Sequence, residues 1–238
     1  MGISHEKIKE LIGIKENITI FEIGCADGRD SKTFLNTFDN NMTLYTFDPE
    51  PLNAKLVTTL GCHDAFGGSN DSLVTDKRHK FNHCAICDYT GTIVFNRSRN
   101  NDGPGNGHGW GRYSGSIHRP VTHVESPKYG KRWSACVFEE TVEVECTTID
   151  DFCSKNNIKH IDFIWMDTQG AEREVFLGSK NMLPNIDFIY TEYYDEEMYE
   201  NCAGLDEIKE LLDGFEVMMD WRYNDADGGD VLFRRVNL

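Results

Sequence analysis

The stretch Ile18-Thr-Ile-Phe-Glu-Ile-Gly-Cys-Ala-Asp-Gly28 decides how this chain folds. Its first six residues are mostly apolar and rich in β-branched side chains, the pattern of a strand buried on both faces. Gly24 and Gly28 then allow a tight turn and close approach to the backbone, and residues 31–38 read as a helix. Strand, glycine turn and helix in this order form the first half of a βαβ unit.

Working outward, residues 43–47 (TLYTF) read as a second strand ending at Asp48; Pro49 and Pro51 break it, and a helix follows through Leu60. Asp48 lies 20 residues after Gly28, where a carboxylate in a doubly wound sheet can accept hydrogen bonds from ribose hydroxyls. Glycine spacing separates two nucleotide readings. The dinucleotide fingerprint G-x-G-x-x-G fails, because counting from Gly24 puts Ala26 and Arg29 where the later glycines belong. The pattern acidic-x-Gly-x-small-x-Gly is met by Glu22, Gly24, Ala26 and Gly28. It resembles the first motif of class I methyltransferases, whose turn holds the amino-acid end of S-adenosylmethionine. Singly, these features are also an ordinary glycine turn and an ordinary Asp-Pro strand end. Their mutual spacing favours a cofactor.

The rest of the chain continues the alternation. Residues 3–12 set Ile3, Ile8, Leu11 and Ile12 near one helical face. Residues 83–87 and 91–95 read as a strand pair, 96–133 as a long irregular insertion, and 141–146 as an alternating strand before a helix capped by Thr148. Then come strand 161–166, helix 170–180, strand 186–191, helix 205–213 and strands 215–221 and 230–236. This order predicts a single domain, residues 1–238, of the α/β class: a doubly wound, mostly parallel seven-stranded sheet with a C-terminal antiparallel hairpin.

Read together, FEIGCADG, YTFDPEP, AICDYTG, TTIDDF, IDFIWMDTQGAEREVFLG and IDFIYTEYYD resemble the FkbM family of S-adenosylmethionine-dependent methyltransferases over most of residues 18–220. The resemblance implies a Rossmann-like class I fold and O-methylation, typically of a sugar or polyketide hydroxyl. The chain departs from it at Ala26, where many members carry Asn. The candidate cofactor residues are Glu22, Gly24, Cys25, Ala26, Gly28 and Asp48, with Ala85, Ile86 and Asp167. Asp167 and Glu192 end two strands, where parallel sheets line their ligand crevice. Glu172 is explained by its place in the first turn of a helix.

Methyl transfer to a hydroxyl requires alignment of the oxygen and removal of its proton. Two routes are open. Asp167, Glu192 and Asp195 would hold a divalent cation (Mg or Mn) that orients and acidifies a sugar diol. Alternatively a histidine of the insertion, His108, His118 or His123, is the base; His118 joins Asp167 and Glu192 as a catalytic candidate. The insertion holds seven Lys or Arg against two acids, in a chain whose 24 basic and 40 acidic residues give a net charge of −16. Long insertions of this kind are often lids. Trp110, Tyr113 and Trp133 would stack on sugar faces and Arg112 and Arg119 would meet substrate anions; Trp110, Arg112, Tyr113 and Gln169 are the substrate-binding candidates. The rival is a solvated loop paired to the acidic body.

The strong negative charge disfavours nucleic acid and anionic membrane as partners. A binding module without catalysis, and a methyltransferase for a non-sugar hydroxyl, remain alternatives. The eight cysteines without an apparent secretory leader read as reduced thiols, and Cys84-x-x-Cys87 completes no zinc set. No apolar run suffices for a membrane span, so a cytoplasmic location is expected.

Overall fold

The computed structural model describes residues 2–39, 41–100, 113–121, 136–223 and 228–236. Ten strands and seven α-helices appear among them. The strands are β1 (Ile18–Ile23), β2 (Met42–Phe47), β3 (His79–Asn82), β4 (Ala85–Ile86), β5 (Gly91–Asn100), β6 (Cys136–Thr147), β7 (Ile161–Met166), β8 (Ile186–Tyr194), β9 (Phe215–Arg222) and β10 (Gly228–Arg235). The helices are α1 (His5–Ile12), α2 (Arg29–Thr37), α3 (Pro51–Thr58), α4 (Asp71–Thr75), α5 (Ile149–Asn156), α6 (Glu172–Leu177) and α7 (Leu205–Leu211).

Seven strands form one sheet in the order β3-β2-β1-β7-β8-β10-β9. The first five run parallel; β10 is antiparallel to both β8 and β9. The C-terminal hairpin is therefore not appended at the edge. Its last strand is inserted beside β8, and β9 becomes the border.

Strand parity divides the core. Ile18 and Ile20 of β1 join Leu44, Phe163 and Phe188 on one face, packed by α1 to α4. Phe21 and Ile23 join Ile164, Met166 and Ile189 on the other, packed by α5 to α7. Each such fully buried side chain contributes about 1.5–3 kcal/mol. Local chemistry sets the helix starts. Ser4 accepts the Lys7 N–H at 3.2 Å, and Thr148 accepts the Asp151 N–H at 2.9 Å. Glu50 caps α3, whose first residue is Pro51.

Three sequence expectations are corrected. Residues 83–87 do not pair directly with 91–95. Instead β4, β6 and β5 make a separate three-stranded sheet with β6 in the centre. Residues 79–82, not read as a strand from the sequence, form β3, short and polar at the edge of the seven-stranded sheet. The insertion is not irregular throughout: β5 runs on to Asn100, and residues 113–121 bridge at Asn96↔Ser116 and Pro120↔Tyr199. Ser114 and Ser116 are buried there. All eight cysteines are free thiols. Among the described residues no helix is long and apolar enough to cross a membrane.

Candidate active site

The carboxyl ends of β1, β2 and β7 meet at one crevice. After β1 the chain turns through Gly24, Ala26 and Gly28, at φ of 88°, 50° and 80°. A Cβ on Gly24 would lie 1.8 Å from the Asp167 carbonyl oxygen. Only glycine lets the β1 turn pass so near the end of β7. Ala26 holds a left-handed conformation without being glycine, which costs free energy and must be held by its surroundings. Its N–H donates to Asp48 at 2.8 Å. The Glu50 N–H (2.9 Å) and the Asn53 side-chain amide (3.2 Å) converge on the same carboxylate. Burial pushes the Asp48 pKa up to about 7 in spite of these three bonds.

Gly24, Asp48, Ala85, Ile86 and Asp167 stand in the walls of this crevice. An ionised carboxylate offers about four lone-pair directions, so Asp48 keeps one for a ribose hydroxyl. A bare backbone turn, one acceptor at the end of β2 and apolar walls beyond it fit S-adenosylmethionine. Glu22 and Gly28 line neither this crevice nor its neighbour. Glu22 is buried and accepts the Ser31 hydroxyl at 2.5 Å, tying β1 to α2; burial, then the charge of Asp30, raises its pKa well above the usual range. Gly28 caps α2 against Leu73 and Val57.

A second crevice shares Gly24, Ala26, Tyr113, Asp167 and Gln169 with the first. Cys25, Asp30, Trp165, Glu192 and Tyr223 complete much of its lining. Asp167 is exposed to this space. Burial by the surrounding chain raises its pKa to about 6; the hydrogen bond from Gln169 opposes the rise, and the charges of Asp230 and Asp30 add to it. Glu192 accepts hydroxyl protons from Tyr194 at 2.6 Å and Tyr223 at 2.9 Å. Burial and then Asp167 raise its pKa well above that of an ordinary glutamate. A carboxylate so raised is a stronger base once ionised.

The turn after β7 holds the shared wall. Gln169 (φ 55°) and Gly170 (φ 95°) are both left-handed. The Gln169 amide donates to Asp167 at 2.6 Å and accepts from the Tyr199 hydroxyl at 2.7 Å. Tyr199 also approaches the Ser114 carbonyl at 3.0 Å, so the insertion is fastened to this turn. Glu172 accepts the Thr168 hydroxyl at 2.8 Å and is fully buried, which agrees with its helix-start reading.

The proposed cation set does not assemble. Asp195 lies just past the end of β8 and pairs with Arg222, outside the crevice that Asp167 and Glu192 line. Among the described residues the one cluster with metal-ligand spacing is His160, Asp162 and Asp187, at the other end of the strands. His118 faces Glu174 at 3.0 Å and lines neither crevice. Tyr113 does reach the site, donating to Asp27 at 2.9 Å. Arg119 is exposed beside Glu200. His108, Trp110, Arg112, His123 and Trp133 lie outside the described residues. Tyr223, Asp230 and Tyr199 were not singled out in the sequence. Asp230 stands directly opposite Glu192 in the β8–β10 register, a pairing visible only once β10 is known to sit beside β8.

The methyltransferase FkbM domain matches residues 22–223. The chain belongs to the FkbM methyltransferase family. This FkbM methyltransferase is 34% identical over 234 residues to the 2-O-methyltransferase NoeI of Sinorhizobium fredii, covering 98% of this chain and 86% of NoeI. Its fold is similar to that of the methyltransferase FkbM from Methylobacillus flagellatus, with a TM-score of 0.55 at 10% identity. That alignment covers 98% of this chain and 48% of the other, so the chain spans about half of that protein's length. A looser likeness, TM-score 0.44 at 11% identity over 97% of this chain and 74% of the other, is to Aeropyrum pernix fibrillarin with natively bound S-adenosyl-L-methionine. The chain is an enzyme of the class I methyltransferase fold, with S-adenosylmethionine as its methyl donor.

Proposed function

We propose that the chain O-methylates a hydroxyl of a sugar or glycan, with S-adenosylmethionine in the first crevice, the acceptor in the second, and Glu192 as the base. The observation that carries this reading is the shared wall. Gly24, Ala26, Tyr113, Asp167 and Gln169 border both spaces, so a methyl group and an acceptor oxygen can meet there. Bound there, S-adenosylmethionine supplies an electrophilic methyl group. The chain aligns the acceptor and takes its proton.

Three features support the acceptor class. NoeI is by name a 2-O-methyltransferase. Trp165 and Tyr223 offer aromatic surface in the second crevice, which suits the apolar face of a sugar ring. Asp167 and Glu192 present carboxylates for hydroxyl groups, and hydrogen bonds to charged acceptors are the stronger kind. The test is an acceptor panel with S-adenosylmethionine, read by mass spectrometry: free sugars, glycosides and oligosaccharides against phenolic and polyketide hydroxyls. Methylated carbohydrate is the expected product. Methylation confined to the non-carbohydrate members overturns the reading.

A further inference from the structure

The second crevice contains an arrangement that the hydroxyl acceptor alone does not require. The Tyr223 hydroxyl lies 2.9 Å from Glu192 Oε1 and 2.8 Å from Asp230 Oδ1. Both are hydrogen-bond lengths, yet a phenol carries one proton. It can donate to one of the two carboxyl groups. The other contact would set a bare phenol oxygen against a bare carboxylate oxygen. It becomes a hydrogen bond only when that second carboxyl group carries a proton and donates to the phenol oxygen. Strand pairing makes the arrangement unavoidable, because Asp230 and Glu192 are direct cross-strand partners, where like charges repel.

We propose that Glu192, Tyr223 and Asp230 form one proton-sharing unit, holding a single carboxyl proton between the two acids, with Glu192 as its outlet to the acceptor. Tyr223 and Asp230 act through Glu192, and the catalytic part of the inference rests on the function proposed above. Two arrangements of equal proton count interconvert. In one, Asp230 donates to the Tyr223 oxygen and Tyr223 donates to ionised Glu192. In the other, Glu192 donates to Tyr223 and Tyr223 to ionised Asp230. The first is the reactive one. As the acceptor O–H bond breaks, its proton passes to Glu192, the oxygen electron pair forms the O–CH3 bond, and the pair of the methyl–sulfur bond stays on sulfur. The unit then holds two carboxyl protons, one of which leaves to water.

The surroundings agree with a neutralised partner. Asp167 brings further negative charge toward Glu192, while Arg29 is the cation in the crevice lining and the N-terminal amino group favours an ionised Asp230. Tyr194 donates to the other oxygen of Glu192 at 2.6 Å, and Tyr190 bonds Asp230. Burial raises both carboxyl pKa values. Two adjacent acids in such a place do not both ionise near neutral pH.

Infrared difference spectra of the protein without cofactor or acceptor test the sharing directly, through the C=O stretch of protonated carboxyl groups. Asp230→Asn and Glu192→Gln should each lose one such band near neutral pH, and the double variant should lose that same single band. Two bands lost in the double variant, a band lost in only one of the single variants, or none lost, overturns the proposal. Tyr223→Phe keeps the ring and covers the case in which a carboxyl variant does not fold. It should replace the shared titration with two separate ones, and an unchanged titration contradicts the proposal. Failure to methylate sugars leaves this spectrum untouched, so the two readings fail separately.

Discussion

A methyl group at position 24 has no room, because its carbon would overlap the Asp167 carbonyl. Gly24→Ala is therefore expected to cost about 1–3 kcal/mol, the range for overpacking a fitted site, and to weaken S-adenosylmethionine binding; denaturant melts and calorimetry check both. The glycines were legible because a turn between strand and helix demands them. Asp48 was legible by its spacing. Its orientation by the Ala26 and Glu50 N–H groups and the Asn53 amide was not, since those donors gather only when the turn and α3 fold against each other. Glu22 shows the reverse. Its place in the motif suggested a ligand contact, but β-strand parity turns it inward to Ser31.

At the scale of elements, alternation in the sequence was enough for β1, β2, β7 and β8 and for α2, α3, α5 and α6 between them, but not for α4. It could not show that β10 enters beside β8. That one placement brings Asp230 and Tyr223 to Glu192, so half of the acceptor site was hidden. Asp195 was misplaced because it lies beyond the end of β8, where Arg222 of β9 holds it. The opposite end of the sheet carries a second charge network. Lys15 bonds Asp162 and Asp187, each at 2.8 Å, and Asp187 also meets His160 and Arg235. Burial opposes ionisation of Asp187, but these bonds prevail and its pKa falls below the usual range. Removing one partner of a buried charge is costly, although Lys15 is itself 40% exposed and its share is screened by water. Lys15→Met is expected to destabilise the protein by about 1–2 kcal/mol in urea melts, well short of a fully buried pair.

For the whole molecule, the net charge of −16 is unevenly held. Several carboxyl groups at the carboxyl end of the sheet have raised pKa values: Asp48 and Glu172 at about 7, with Glu22 and Glu192 also shifted upward. A group raised in the folded state binds its proton more tightly there than in the unfolded chain. Its stabilising share is complete below the unfolded pKa and is lost as pH rises through the folded one. For Asp48 and Glu172 that window runs from about 4 to about 7. The melting temperature should thus fall as pH is raised across that window, and Asp48→Asn should flatten the fall. An unchanged slope in that variant would show that Asp48 is not buried as described. On the proposed function, Glu192 takes the proton of a carbohydrate hydroxyl during methyl transfer. The most direct measurement is turnover of labelled S-adenosylmethionine onto a sugar acceptor by the wild-type protein and by Glu192→Gln, with cofactor affinity measured alongside. In Glu192→Gln, turnover should fall by roughly 10²–10⁴-fold, the usual worth of a positioned base, with cofactor affinity preserved. Equal turnover in the two proteins would contradict it.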